Sequence, residues 1–264
     1  MDLGLAAKVA LVSGGSKGIG YAVAELLASE GARVVVASRG AEAVAAAVAR
    51  LRAAGGEATG VSADLGTAEG VAVAVAAARE AYGSPDIAVS NVASADPVDF
   101  LTAPPAAYTA AFESMALSVL HLARAVVPDM QAKGWGRLVN IGAGIAKEPP
   151  PQAKHAIAAM ARAAVVALNK SLANELAASG VTVNTIGTGF TATHSMQDLM
   201  ESIAARSGST AQEVLKKFTA ATPARRAGLP EEVAAVVAML CSTRGGYVTG
   251  QFLPVDGGAL RSAF

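Results

Sequence analysis

The sequence predicts an α/β fold, a doubly wound parallel sheet with helices on both faces. Three observations predict it. Short Val-, Ile- and Leu-rich runs alternate from end to end with longer stretches of 3.6-residue periodicity. Those short runs are almost continuously apolar, as strands buried on both faces must be. A glycine-rich turn joins the first run directly to a helical pattern.

Taken in order, the strand candidates are Val9–Val12, Arg33–Ala37, Ala58–Ser62, Ile87–Ser90, Arg137–Ile141, Thr182–Ile186 and Phe252–Val255. Helical patterns lie between them, clearest over Tyr21–Ser29, Ala41–Ala53 and Thr67–Tyr82. No Pro/Ser-rich linker, repeat or low-complexity tract divides residues 1–264, so one domain is expected. Between 191 and 227 the rhythm breaks into a polar, interrupted helical stretch. An insertion there overhangs the carboxyl ends of the strands, where such sheets bind ligands. It is read as a substrate lid in preference to an ordinary surface helical pair.

Composition excludes several classes of function. The chain has 264 residues, 53% hydrophobic and 16% charged, enough apolar material for a large core. Its 21 Lys and Arg balance 21 Asp and Glu, so no basic field recruits nucleic acid or an acidic membrane. The one cysteine, Cys241, excludes an internal disulfide framework and fits a reducing compartment. The opening residues lack a signal-peptide pattern, and no run of ~18 uncharged apolar residues appears. A cytoplasmic protein without a spanning helix is therefore expected. No spacing of Cys and His fits a metal site, and no metal is expected.

The turn after the first strand reads Ser13-Gly14-Gly15-Ser16-Lys17-Gly18-Ile19-Gly20. Gly14 permits the tight turn, Gly18 lets the backbone approach a pyrophosphate, and Gly20 lets the helix pack on the strand. The free N–H groups at the helix start then face the phosphates. The second strand ends in Ser38-Arg39, where an acidic residue would select NAD by binding its ribose diol. Arg39, Ser38 and Lys17 suit a 2′-phosphate instead, so NADPH/NADP+ is the expected cofactor.

The spacing Gly-x-x-x-Gly-x-Gly resembles that of the short-chain dehydrogenase/reductase superfamily, and the likeness covers nearly the whole chain. Asp64-Leu65 matches the adenine-contacting aspartate segment after the third strand. Ser90-Asn91-Val92-Ala93 resembles the family's Asn-Asn-Ala-Gly stretch and keeps its second Asn. Asn184 to Gly189, then Thr193, resembles its Asn-x-x-x-Pro-Gly-x-x-x-Thr segment, with Thr188 in place of Pro. Pro230-Glu231-Glu232-Val233, Tyr247-Val248-Thr249-Gly250 and Val255-Asp256-Gly257-Gly258 match its C-terminal signature. The resemblance implies a Rossmann fold whose cofactor site takes in Gly14, Ser16, Lys17, Gly18, Ile19, Gly20, Ser38, Arg39, Asp64, Leu65, Asn91, Arg162 and Thr193.

The family's Asn-Ser-Tyr-Lys tetrad is not kept. Counting back from Lys170-Ser171-Leu172 puts its Tyr position at Ala158 and its Lys position at Arg162. The Ser position is Ala143 or Gly144, and the Asn position is Met115. Tyr21, Tyr82, Tyr108 and Tyr247 are read as remote from this helix. Ala transfers no proton, and Arg stays protonated at neutral pH. Hydride chemistry survives, because the cofactor supplies it.

The segment His155 to Val165 resembles enoyl-CoA and dienoyl-CoA reductases of the superfamily, which also carry a non-Tyr residue here with a His just upstream. Conjugate reduction needs donors for an enolate oxygen and a proton for the α-carbon, not a tyrosinate. A helix starting just after Pro149-Pro150-Pro151 would put His155, Ala158 and Arg162 on one face. His155 and Arg162 are accordingly the candidate catalytic residues, the alternative for His155 being a solvated residue in the first helical turn. His121 is read as a packed or interface residue, and His194, at the start of the lid, as a candidate substrate contact. The leading expectation is an NADPH-dependent reductase of an enoyl thioester, with a small-molecule acyl thioester as its partner. A carbonyl (3-oxoacyl-type) reductase with a non-standard acid, a cofactor-binding pseudoenzyme and a non-redox isomerase are the rivals. Two Ala-rich helical stretches, Pro105–Lys133 and His155–Ser179, predict a homotetramer or homodimer.

Overall fold

The computed structural model describes residues 1–150 and 154–262. Seven strands form one parallel sheet: β1 (Val9–Ser13), β2 (Arg33–Ser38), β3 (Ala58–Ser62), β4 (Ile87–Ser90), β5 (Gly136–Ala143), β6 (Val181–Thr188) and β7 (Phe252–Val255). Their order is β3-β2-β1-β4-β5-β6-β7. The chain therefore winds outward in both directions from the β1–β4 pair, which makes the carboxyl ends of β1 and β4 the switch point where a ligand crevice opens.

Alternation along each strand feeds two cores. Ala10, Val12, Val34, Val36, Val89 and Ile186 point to one face, beneath α1 (Gly18–Ser29), α2 (Ala41–Ala53) and, against α1, the last helix, α9 (Pro230–Cys241). Leu11, Val35, Ala37, Ala88, Leu138 and Val183 point to the other, beneath α3 (Ala68–Ala81), α5 (Ser118–Lys133) and α6 (Ala156–Leu176). The expected strands are all present. β5 and β6 run past Ile141 and Ile186 because Gly142 pairs with Gly187 and Ala143 with Thr188. Ladder pairing there outweighs the poor strand propensity of Gly and Ala.

The expected helix over Pro105–Lys133 is broken internally. α4 (Pro105–Ala111) passes into a π-helical turn, Phe112–Leu117, before α5 begins. Met115 lies buried in that π turn, and such turns concentrate at functional sites. The stretches Pro105–Lys133 and Ala156–Ser179 are long and apolar enough to cross a membrane by length and composition. Both nevertheless pack on the sheet, α5 against β4 and β5 and α6 against β6, as core helices of an α/β domain do.

α6 differs from its sequence reading. It starts at Ala156, with His155 as its N-cap at φ −105° and ψ 20°, so His155 lies outside the helix. Pro151 falls outside the described residues, and Pro149 and Pro150 precede the helix by several positions. Of the three residues expected on one helical face, Ala158 and Arg162 are in α6 and His155 directly precedes it. Between β6 and α9, α7 (His194–Ser207) and α8 (Ala211–Ala220) pack on each other around Met200, Ala204 and Val214. The ring of Phe218 in α8 lies 5.7 Å from that of Phe190, which precedes α7.

Candidate active site

A cleft of about 630 Å³ opens at the carboxyl ends of β1, β2, β4, β5 and β6. Its floor is the glycine turn. Gly14 has φ +61°, and a Cβ there would stand 2.6 Å from the Asn91 carbonyl oxygen, so only glycine closes the gap between the ends of β1 and β4. Gly18, at φ +57°, starts α1, and a Cβ on it would meet the Thr193 methyl at 3.4 Å. Lys17 is the N-cap, with no side-chain bond to the helix, so the first N–H groups of α1 are left for a ligand.

Gly14, Ser16, Lys17, Gly18, Ile19, Ser38, Arg39, Asp64, Leu65, Asn91, Arg162 and Thr193 all line this cleft. Thirteen cofactor contacts were expected from the sequence, and Gly20 is the one that does not line it. It packs instead: a Cβ on Gly20 would lie 2.2 Å from the Gly14 carbonyl oxygen, so its absence lets α1 sit against the turn. Ser16 Oγ donates to Ser38 Oγ at 3.2 Å, tying the turn to the end of β2. Asp64 Oδ1 accepts from the Gly66 N–H at 2.9 Å, which shapes the loop after β3. Among the described residues, no carboxylate lies within 4.0 Å of the Lys17, Arg39 or Arg162 cations. Three cations without carboxylate partners, against the one carboxylate of Asp64, suit the cleft to a polyanion.

Arg162 is the least ordinary of them. Its Nε is buried without a hydrogen-bond partner. Burial pushes the guanidinium down to about 10, which still leaves it protonated at neutral pH. A buried cation without a counter-charge is costly, and a ligand oxygen at this point would relieve that cost.

His155 is not brought to the cleft. It is half-buried at the start of α6, its Nδ1 buried without a partner, and it does not line the cavity. Of the two candidate catalytic residues, Arg162 lines the cleft and His155 does not. The positions expected from the sequence to hold the tetrad's Asn, Ser and Tyr carry no hydroxyl or amide: Met115 and Ala158 are buried, at 2% and 1% exposure, Ala143 ends β5, and Gly144 opens the short turn after it. The tyrosines are not all remote. Tyr108 of α4 packs in the cluster of Met115, Ile157 and Ala161, so it touches the α6 layer, but it does not line the cleft.

Several lining residues were missed from sequence. Among them Ser94 and Ser114 bring hydroxyls, whereas His194, expected as a substrate contact, lines both this cleft and a second one of about 440 Å³. The second cleft is walled by Phe190, Met196, Met200 and Leu215 from the α7–α8 layer. Ser114 could have been found, since it stands one residue before Met115. His194 carried only its adjacency to Thr193 as a signal.

A family model described as enoyl-(acyl carrier protein) reductase matches residues 14–259. The short-chain reductase protein NovJ of Streptomyces niveus is 34% identical over 250 residues, 95% of this chain and 93% of that protein. The 3-oxoacyl-[acyl-carrier-protein] reductase FabG of Vibrio cholerae is 33% identical over 256 residues, 97% of this chain and 98% of that protein. The crystal structure of L-sorbose reductase from Gluconobacter frateurii, complexed with NADPH and L-sorbose, superposes with a TM-score of 0.95 at 30% identity, covering 99% of this chain and 100% of that one. Glycine turn, strand order and near full-length similarity agree: this chain belongs to the short-chain dehydrogenase/reductase superfamily.

Proposed function

We propose that this protein is an NADPH-dependent reductase acting on the conjugated C=C bond of an enoyl thioester. The observation that carries the reading is Arg162, a half-buried cation in the cleft whose Nε is buried without a partner and which has no anionic partner among the described residues, beside an expected tyrosine position filled by Ala158. NADPH, when bound, supplies a hydride. Lys17 and Arg39 hold its 2′-phosphate, with Ser38 as a hydroxyl partner. The N–H groups that open α1 receive its pyrophosphate, and Asp64, Leu65 and Asn91 line the rest of its path. Thr193 closes the site over Gly18. The NADPH complex of the sorbose reductase supports this choice of cofactor.

Arg162 donates to the thioester oxygen as negative charge moves onto it. A preorganised cation in a dry site stabilises that charge without reorganisation. Both reductions end in a proton transfer, but a ketone takes the proton on the carbinol oxygen, where the tyrosine that would give it is absent, whereas an enolate takes it on carbon. The α7–α8 layer serves as the lid, with the apolar second cleft receiving the acyl chain.

A carbonyl reductase is the second reading, favoured by the relative named as a 3-oxoacyl-[acyl-carrier-protein] reductase. Loss of NADPH absorbance with crotonyl-CoA and with acetoacetyl-CoA, on one preparation, separates the two. Faster turnover of crotonyl-CoA with a saturated thioester as product supports the first. Turnover of acetoacetyl-CoA alone replaces it with the second.

A further inference from the structure

We propose that His194 is the proton donor of this site, protonating the α-carbon of the substrate; the proposal rests on the enoyl reading above. Five ionisable side chains line the cofactor cleft: Lys17, Arg39, Asp64, Arg162 and His194. Lys17 caps α1 in the glycine turn, while Arg39 and Asp64 follow β2 and β3. These three stand on the β1–β3 side of the switch point, away from the ends of β4, β5 and β6. Arg162 holds its proton, because even after burial it titrates at about 10. His194 remains. Imidazole is also the side chain suited to exchange a proton near neutral pH.

Its placement is independent of that elimination. Among the residues described, it is the one ionisable side chain that lines both clefts. A substrate with its head by Arg162 and its tail among Phe190, Met196, Met200 and Leu215 must pass it. The backbone fixes its position. Thr193 caps α7 by accepting the Met196 N–H at 3.3 Å, and a Cβ added to Gly18 of the glycine turn would reach van der Waals distance of its methyl. His194 is thus held beside the entry to the cofactor loop. Asp198, one turn along α7, lies 3.9 Å from Nε2, within ion-pair reach of an imidazolium. The side chain is 76% exposed, so water can reload it after each turnover.

The step balances. Hydride adds to the β-carbon, and the C=C electron pair moves to make an enolate whose oxygen faces Arg162. The enolate electrons then form a C–H bond at the α-carbon with the proton from His194 Nε2–H or Nδ1–H. The neutral imidazole takes a proton back from water, and the cofactor leaves oxidised.

The test uses His194→Ala in the full chain, with NADPH binding followed by fluorescence titration. Enoyl turnover falls by about 10²-fold or more in kcat, the usual worth of a positioned acid, while NADPH affinity is unchanged. Added imidazole restores part of the lost kcat in the variant and does nothing for the wild type. Full kcat in His194→Ala, or a loss that imidazole cannot rescue, overturns the proposal while the enoyl reading stands. A wild type inert toward enoyl thioesters overturns both.

Discussion

A Cβ placed on Gly20 would stand 2.2 Å from the carbonyl oxygen of Gly14, far inside van der Waals contact, and 2.9 Å from Asn91 Nδ2. Both neighbours belong to the seam between β1 and β4, so neither can move without opening the sheet end. Gly20→Ala should therefore distort the phosphate turn as well as cost stability. Overpacking of this kind costs about 1–3 kcal/mol. A lowered melting temperature together with weakened NADPH binding is the expected pair of results. Normal cofactor affinity in a destabilised variant would limit Gly20 to a packing role.

Arg39 stands exposed at the end of β2 without a carboxylate partner, at the mouth of the cleft. Arg39→Asp removes a charge-assisted contact worth ~1.5–3 kcal/mol and adds repulsion toward the 2′-phosphate. NADPH affinity should drop by about 10- to 150-fold while NADH affinity holds or improves. Titration calorimetry with both nucleotides checks this, and an equal loss for both would count against the 2′-phosphate assignment.

If the site were a carbonyl reductase that merely lacks its tyrosine, Ala158→Tyr with Arg162→Lys should restore ketone reduction. Ala158 is 1% exposed and its neighbours Ile157 and Ala161 pack against Met115, so the new ring enters a filled apolar layer. A buried hydroxyl without a partner costs ~1–3 kcal/mol. Little ketone activity and reduced enoyl turnover are expected. Strong acetoacetyl-CoA reduction by the double variant would reverse the choice of substrate.

His155→Ala should leave enoyl kcat close to the wild-type value, because His155 is the N-cap residue of α6 and does not line the cleft. Stopped-flow measurement of NADPH oxidation at saturating cofactor decides the point. A loss of about 10²-fold would restore His155 as the acid.

A homo-oligomer is proposed from the outer faces of the two long helical stretches, where Phe112 is 38% and Met160 42% exposed. A symmetric contact through these faces would cover both side chains. Sedimentation velocity at micromolar concentration should show a dimer or tetramer, and Met160→Glu should shift it toward monomer. A monomer for the native chain would sink the idea.

Local chemistry made much of this protein legible. The strand–turn–helix around Gly14, Gly18 and Gly20 is a contiguous stretch whose conformation depends on residues within it, so spacing alone located the phosphate site. Apolar periodicity placed all the strands and both cores, since burial on two faces leaves its mark residue by residue. Charge at Lys17 and Arg39 could be read in the same way, from strand ends already located.

Tertiary structure decided what depended on distant segments meeting. The Tyr108 ring reaches the α6 layer across about fifty positions of chain, a contact that no local pattern encodes. α6 starts at Ala156, one residue past His155, and His155 does not line the cleft. Thr193 and His194 line the same cleft as Gly18, 175 positions before Thr193 in the chain, and only the folded sheet brings those two loops together. The sequence by itself thus determined the fold and the cofactor-binding turn, where each residue's role follows from its neighbours. Which ionisable groups line both clefts was left to the packing of loops at the ends of the strands.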